Sequence, residues 1–263
     1  MNWLRMYTIL IAASIRSRMQ YRFNFWFSTL ISALVNAVEF LMLAVVLLRF
    51  EHIQGWTLIE CGYLYGILTL SRAIYRSLAS DVHYLERYLL SGDLDKLLLR
   101  PVPILLALMT QNFNLRFGEL LQGSAILAIC MSTMMREGQI GWTAVAPTLM
   151  AVGAGAVLLF AIGLLSVTTG FWLTRTSVLQ NFTEDAAKTA AQYPMSIYPG
   201  WLQGVLTGII PVAFVNYLPS LYILKGEHSP LILLASWAVA LTLTGLGLLF
   251  WRVGISRYQS TGS

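Results

Sequence analysis

The sequence predicts an all-α integral membrane protein with six transmembrane helices. Of its 263 residues 57% are apolar and 11% are charged, whereas a soluble domain carries about 25% charged residues. The chain therefore has too few polar side chains to cover a globule in water. Six windows approach the length of about 20 apolar residues that crosses a hydrocarbon core. They are residues 25–48, 58–75, 117–134, 143–173, 204–224 and 231–251.

The basic residues predict how these windows are oriented. If the N-terminus lies in the cytoplasm, fourteen of the seventeen Lys and Arg residues fall in cytoplasmic segments, and three fall on the other side: Arg49, Arg136 and Lys225. This bias places both termini in the cytoplasm. The net charge of +5 then reflects topology and predicts no nucleic-acid partner.

The pattern predicts one membrane domain over residues 1–263. An interfacial helix over 1–24 precedes spans 1 and 2 (25–75), a cytoplasmic coupling region (76–116), spans 3 and 4 (117–173), a cytoplasmic or interfacial segment (174–203), spans 5 and 6 (204–251) and a cytoplasmic tail (252–263). Arg5, Thr8 and Arg16 share one helical stripe near the N-terminus, which is typical of a helix in the membrane interface. A cleaved signal peptide is the alternative, although Arg16 and Arg18 follow the apolar stretch directly.

Motifs for nucleotide or metal chemistry are missing from the sequence. Its three lysines, Lys96, Lys188 and Lys225, lie outside any G-x-x-x-x-G-K-[ST] motif. The two cysteines and three histidines lack the spacing of metal ligands. The sequence therefore predicts no catalytic residue, no metal site and no cofactor bound by this chain.

A short polar segment at residues 91–101 is the main candidate for function. Acidic and basic side chains alternate there with leucines, in a segment too short to span a membrane. Gly92 is suited to end one helix, and Asp93 to cap a second short helix that Pro101 and Pro103 must end. The exposed leucines must be buried by lipid or by a partner. An ordinary solvated loop is the alternative interpretation.

Three sequence blocks resemble a known family. Residues 92–101 (GDLDKLLLRP) are similar to the signature G-x-[IL]-D-x-L-L-[LI]-[RK]-P of permease subunits of type-2 ATP-binding-cassette (ABC) exporters, above all a bacterial six-span subfamily with two related permeases and one ATPase. Residues 193–199 (YPMSIYP) and 210–219 (IPVAFVNYLP) resemble its second block. Residues 255–262 (ISRYQSTG) resemble its tail, with Thr261 where Ala is commoner. The likeness covers essentially the whole chain.

This resemblance implies a type-2 exporter fold in a bacterial plasma membrane. The coupling region would dock on a separate ATPase, and ATP-driven closure of two ATPase copies would switch paired permeases between inward- and outward-open states. ATP and Mg²⁺ belong to the ATPase, and the second permease is a related chain or another copy. The docking residues implied are Glu86, Arg87, Asp93, Leu94, Asp95, Lys96, Leu97 and Arg100, with Pro101 as a brace and Arg16 and Arg18 of the interfacial helix as a second contact.

Two further features are candidates within the membrane. Glu39 lies about 21 Å into the first window, where a carboxylate costs at least about 2.5–3.5 kcal/mol and marks a polar pathway that Asn36 could share. A protonated Glu39 bonded to a neighbouring helix, or one near the outer headgroups, is the alternative. Pro211 and Pro219 predict a broken or kinked fifth span, as a gate or as helix shaping. Two other functions stay open: a proton- or cation-coupled secondary transporter that uses Glu39, and a non-transporting membrane anchor.

Overall fold

The chain is helical wherever its regular structure is described. A computed structural model describes residues 55–111, 113, 115–173 and 177–258, together with isolated helical positions between residues 7 and 45. Most of the first predicted span lies outside the described residues, as do the predictions on Arg18, Asn36 and Glu39.

The described residues form a series of long and short helices. The α-helices are α1 Leu58–Leu78, α2 Leu85–Leu90, α3 Asp93–Leu98, α4 Ile104–Gln111, α5 Phe117–Arg136, α6 Val145–Thr168, α7 Ser177–Gln192, α8 Gly200–Gly208, α9 Tyr217–Lys225 and α10 Leu231–Ser256. Single 3₁₀ turns lie at Val82–Tyr84, Trp142–Ala144, Thr169–Phe171, Met195–Ile197 and Val212–Phe214.

Three helical stretches in the described part of the chain are long and apolar enough to cross a membrane. They correspond to predicted spans 3, 4 and 6 and cover Phe117–Arg136, Trp142–Phe171 and Leu231–Ser256. The second predicted span is α1, which is 21 residues long but carries Glu60, Arg72 and Arg76. The fifth window does not form one helix, because α8 and α9 each have only nine residues. The described residues thus form a helical bundle with three helices long and apolar enough to cross a membrane, while the count of six spans stays a prediction.

Helix α1 lies at the centre of the bundle, packed against α5, α6 and α7. Glycines bring it close to the antiparallel α5. A Cβ atom added to Gly66 would lie 3.2 Å from the backbone of Leu127, and one added to Gly123 of α5 would lie 3.0 Å from the backbone of Leu70. Small residues at such crossings let two membrane helices pack backbone to backbone.

Helix α6 separates α1 from α10 and runs parallel to both. On one side, a Cβ atom added to Gly155 would lie 2.7 Å from the Ser71 hydroxyl of α1. On the other side, Gly153 faces the Trp237 ring and Gly247 of α10 faces Leu164. Helix α10 therefore lies at the edge of the bundle, and many of its leucines are exposed, as expected for a surface that faces lipid.

The fifth predicted span is broken in its middle. Helix α8 ends at Gly208, and the chain passes through Pro211 and the turn Val212–Phe214 before α9 begins. The structure places Pro211 in this break, where its missing N–H group interrupts the helix. Pro219 lies in the first turn of α9, where an N–H has no helical partner and proline is tolerated. We call residues 209–216 the helix break.

A polar clasp holds the other end of α9 to the start of α1. Thr57 and Glu60 form a capping box, in which the Thr57 N–H donates to Glu60 Oε2 (2.8 Å) and the Glu60 N–H donates to Thr57 Oγ1 (3.3 Å). Lys225 of α9 pairs with Glu60 Oε1. Its Nζ atom also lies 5.3 Å from the centre of the Trp56 ring. Residues 76–116 lie at one end of the bundle, and this clasp lies at the opposite end.

Candidate functional site

The coupling region is anchored to the bundle by buried leucines. Leu85 of α2 and Leu94 of α3 are fully buried, and Leu97 is 2% exposed. Between these helices Gly92 has φ +70°, a left-handed conformation that glycine adopts without strain. As predicted, one short helix ends before Gly92, but Asp93 does not cap the second one: Gly92 is its N-cap and Asp93 its first helical residue. These buried contacts hold the coupling region against the rest of the bundle.

The leucine run of α3 is divided between two environments. Leu98 is 45% exposed and Leu99 is 87% exposed, although both directly follow the buried Leu97. The outer side also carries Lys96 and Arg100, which is held by a hydrogen bond to Gln111 Oε1 (2.9 Å). An exposed apolar pair framed by cations is a surface suited to a protein partner.

The charged residues of α3 order its first turn. Lys96 Nζ lies 2.6 Å from Asp93 Oδ1, and the Ser91 hydroxyl donates to Asp93 Oδ2 (2.8 Å). Hydrogen bonds from Lys96 and Ser91 lower the pKa of Asp93. The ionised carboxylate at the N-terminus of a helix also suits the helix dipole. The outer surface of α3 is therefore polar at its start and apolar at its end.

A groove of about 560 Å³ runs beside this surface, between α2 and α7. Its walls include His83, Tyr84, Arg87 and Leu90 from the coupling region and Asn181 from α7. The Arg87 guanidinium lies over the rings of Tyr84 (5.9 Å) and Tyr88 (5.4 Å), which keeps the cation at the rim. The groove combines aromatic, apolar and cationic groups, and we call it the α2–α7 groove.

A cluster of polar side chains lies directly behind the groove and is centred on Glu184 of α7. Glu184 Oε2 accepts a hydrogen bond from Arg76 Nη2 (2.6 Å), and Oε1 lies 2.7 Å from His83 Nδ1. Oε1 also accepts from the Tyr75 hydroxyl (3.2 Å). The side chains of Arg76, His83 and Glu184 are only 18%, 15% and 13% exposed. One carboxylate thus joins α1, the turn Val82–Tyr84 and α7.

The electrostatics of this cluster favour an ionised Glu184. Burial raises the pKa of the carboxyl, but hydrogen bonds and charge from His83 and Arg76 outweigh burial and hold the pKa at about 2. His83 Nδ1 also lies 2.6 Å from Gln180 Nε2, so both α7 side chains contact this ring nitrogen. Gln180 also donates to the His83 main-chain carbonyl (2.7 Å). Two α7 side chains one turn apart therefore hold the same turn of the coupling region.

The tail of the chain approaches α3. Tyr198 of the second block and Ile255 and Tyr258 of the tail pack against the extended core that also contains Leu94 and Leu97. Burial and the neighbouring Asp95 carboxylate raise the pKa of Tyr258. The tail therefore lies beside α3, although more than 150 positions separate Asp95 from Tyr258 in the sequence.

The structure separates the sequence-predicted docking residues into two groups. Leu94 and Leu97 are buried and anchor α3, so they cannot contact a partner directly. The exposed or half-exposed ones are Glu86, Arg87, Asp93, Asp95, Lys96, Arg100 and Pro101. Arg16 is exposed at one of the isolated helical positions. Tyr7 donates to the carbonyl of Leu78 (2.7 Å), at the end of α1.

Sequence reasoning missed the Glu184 cluster altogether. Glu184 lies 108 positions from Arg76 and 101 from His83, and no short motif links them. The available signal was weak: a basic residue at the end of a predicted span and an acidic residue in a predicted cytoplasmic segment. Among the described residues no group of three or more His, Cys, Asp or Glu side chains could hold a metal ion.

Comparison with known families agrees with these features. The model of the ABC-2 family transporter proteins matches residues 33–262, which include the coupling region, the helix break and most of the tail. The chain therefore belongs to the ABC-2 transporter family. No curated protein and no solved structure matches the chain significantly.

Proposed function

We propose that this chain is the permease subunit of an ATP-driven exporter, that it forms half of the translocation pathway, and that a separate ATPase docks on its coupling region. Membership of the ABC-2 family makes it the membrane component of an ABC transporter. The observation that carries the finer proposal is the divided leucine run: Leu94 and Leu97 fix α3 to the body, while Leu98 and Leu99 are exposed.

The proposed docking surface has two parts. The first is the outer side of α3 with Lys96, Leu98, Leu99 and Arg100, and the second is the adjacent α2–α7 groove. A helix that is anchored by buried side chains transmits a displacement of the ATPase to the bundle, whereas a flexible loop would change its own conformation instead. The exposed apolar pair supplies buried area on docking, and the cations at the rim supply orientation.

The remaining partners follow from the same proposal. Two ATPase copies bring ATP and Mg²⁺, and a second permease, either a related chain or another copy, completes the pathway within membrane lipid. The complex lies in a bacterial plasma membrane with both termini of this chain in the cytoplasm. The interfacial helix provides the second ATPase contact through Arg16 and Arg18. Pro211 in the helix break and, in the first span, Glu39 and Asn36 belong to the pathway.

Co-purification with the ATPase tests the docking surface. Leu99→Asp is expected to abolish capture of the ATPase while leaving the thermal unfolding midpoint of the permease unchanged, because Leu99 is 87% exposed. Trp142→Asp is the matched control, since Trp142 is 83% exposed in a turn at the opposite end. Undiminished capture by Leu99→Asp would remove the docking role.

Two other measurements separate the remaining functions. Transport by the purified permease in liposomes with a proton gradient and no ATPase would identify a secondary transporter. A complex that forms, but in which the permease never changes the rate of ATP hydrolysis, would identify a membrane anchor. An exporter requires ATP for transport and shows a hydrolysis rate that depends on the permease.

A further inference from the structure

We propose that α7 acts as a lever that carries movement of the coupling region to the helix break. It does so through two contacts, which we call grips: Glu184 in the middle of α7, and the Ala191 carbonyl with Asn216 at its C-terminal end. The inference rests on the proposed function, since it needs an ATPase that moves the coupling region. It assigns a positioning role to Glu184 and Asn216, which lie outside the proposed docking surface.

The first grip joins α7 to the coupling region. Glu184 binds His83 and Arg76, and Gln180 binds the His83 carbonyl from the same side of α7. Two of these contacts involve a charged carboxylate and are therefore stronger than neutral hydrogen bonds. His83 lies directly between α1 and α2, so a push on α2 or the groove reaches α7 through this side chain.

The second grip joins the far end of α7 to the helix break. Asn216 is 1% exposed, and its Nδ2 group donates to the Ala191 carbonyl of α7 (2.6 Å) and to the Leu64 carbonyl of α1 (3.0 Å). Glu184 and Ala191 lie about two helical turns apart, or roughly 10 Å along one uninterrupted helix. A helix of this length moves as a rigid body, so displacement at Glu184 displaces the Asn216 contact.

The helix break is confined on its other side by α6. A Cβ atom added to Gly155 would lie 2.9 Å from the Val215 carbonyl, which shows how closely the break approaches the α6 backbone. Because the α6 backbone blocks movement toward α6, a displaced helix break has to shift along α6 or away from α6. Pro211 leaves this segment without a continuous helical ladder, so a shift there breaks few hydrogen bonds.

Two buried polar side chains lie at the C-terminal end of the break and just after it. Asn216 is the last residue of the break and is 1% exposed, and Ser220 lies in the first turn of α9 and is fully buried. A displacement of the break that moves Asn216 therefore changes the surroundings of Ser220, which makes Ser220 a suitable position for a reporter group.

Thiol labelling at Ser220 tests the lever. In the complex with the ATPase, and with Cys61 and Cys130 replaced by Ala, Ser220→Cys is expected to react slowly without nucleotide and about tenfold faster with a non-hydrolysable ATP analogue. Adding Glu184→Gln or Asn216→Leu should abolish most of this acceleration while ATPase capture stays unchanged. Asp185→Asn is the matched control, because Asp185 is the exposed neighbour of Glu184 on α7.

The outcomes discriminate between a lever and a merely structural role. Glu184→Asp keeps the charge and should retain most of the nucleotide response. If Glu184→Gln lowers the thermal midpoint, Gln180→Ala replaces it, because it removes the contacts of Gln180 with His83 and no charge. ATPase capture is measured on this variant as well, since Gln180 also lines the α2–α7 groove. A full nucleotide response in both Asn216→Leu and a stable first-grip variant, with the ATPase bound, would overturn the lever. Failure of the unmodified permease to capture any ATPase would instead overturn the proposed function, and the lever with it.

Discussion

Helices α1 and α10 run parallel to each other on opposite sides of α6, yet they differ in burial and in the polarity of their residues. Most residues of α1 are buried, among them the polar side chains of Glu60, Ser71 and Ser77. In α10 only 22% of the most apolar stretch is buried, and exposed leucines run along its length. Helix α10 meets the apolar criterion for a membrane span, whereas α1 does not.

This difference indicates that the hydropathy of a helix reflects whether lipid or protein surrounds it, and not whether the helix crosses the membrane. Lipid accepts only apolar side chains, so a helix at the edge must be apolar along its exposed stripe. A helix surrounded by protein can carry glycines for close packing and polar groups for hydrogen bonds. Helix α1 does both, and each substitution in it should therefore cost more than its counterpart in α10.

The largest contrast is expected for glycine. Gly66→Leu should destabilise the permease by about 3 kcal/mol or more, because the Cβ atom it adds would lie 3.2 Å from the backbone of Leu127 and α1 and α5 would have to separate. Gly245→Leu in α10 meets nothing within 4 Å and should leave stability unchanged. Thermal unfolding in detergent, followed by size-exclusion chromatography, measures both. Equal losses at the two positions would contradict the comparison.

A smaller contrast is expected for arginine. Arg76→Met in α1 should cost about 3 kcal/mol, because it leaves the Glu184 carboxylate in a half-buried site with one charged partner fewer. Arg252→Met in α10 removes an exposed cation and should change stability by less than about 0.5 kcal/mol. Chemical denaturation of each variant gives the difference. A tolerated Arg76→Met would show that the Glu184 cluster contributes little to the fold.

The smallest contrast is expected for serine. Ser71→Ala removes a buried hydrogen bond from its hydroxyl to the Val152 carbonyl (3.0 Å) and should cost about 1 kcal/mol. Ser256→Ala in α10 removes an exposed bond to the Val253 carbonyl (2.8 Å) and should have almost no effect. The same unfolding assay resolves the two if each is compared with the unmodified chain. A larger loss for Ser256→Ala would reverse the order.

The sequence alone predicted the long apolar helices and the junction between the two short helices of the coupling region. Spans 3, 4 and 6 follow from apolar length, and Gly92 and Asp93 mark the junction between α2 and α3. These features depend on neighbouring residues, which a single sequence displays directly. The family likeness was likewise confirmed, over residues 33–262.

What the sequence did not predict depends on contacts between distant segments. Leu97 and Leu98 are identical neighbours, and only the packing of α3 decides that one is buried and the other half-exposed. The pairing of Glu184 with His83 arises because α7 folds back on the coupling region, which no local pattern records. The prolines of the fifth window predicted a disturbance, and the helix is interrupted at Pro211, but the bonds from Asn216 to the Leu64 and Ala191 carbonyls join distant segments that the sequence does not link.

The clasp at the start of α1 has a consequence for biogenesis. A growing chain exposes Thr57 and Glu60 to the insertion machinery long before Lys225 is synthesised, because 165 residues separate the two partners. During that interval the capping box gives the Glu60 carboxylate a local hydrogen-bond donor, the Thr57 N–H. The other carboxylate oxygen of Glu60 pairs with Lys225 only after α9 has been synthesised. Late arrival of α9 therefore completes a site that the nascent α1 has already oriented.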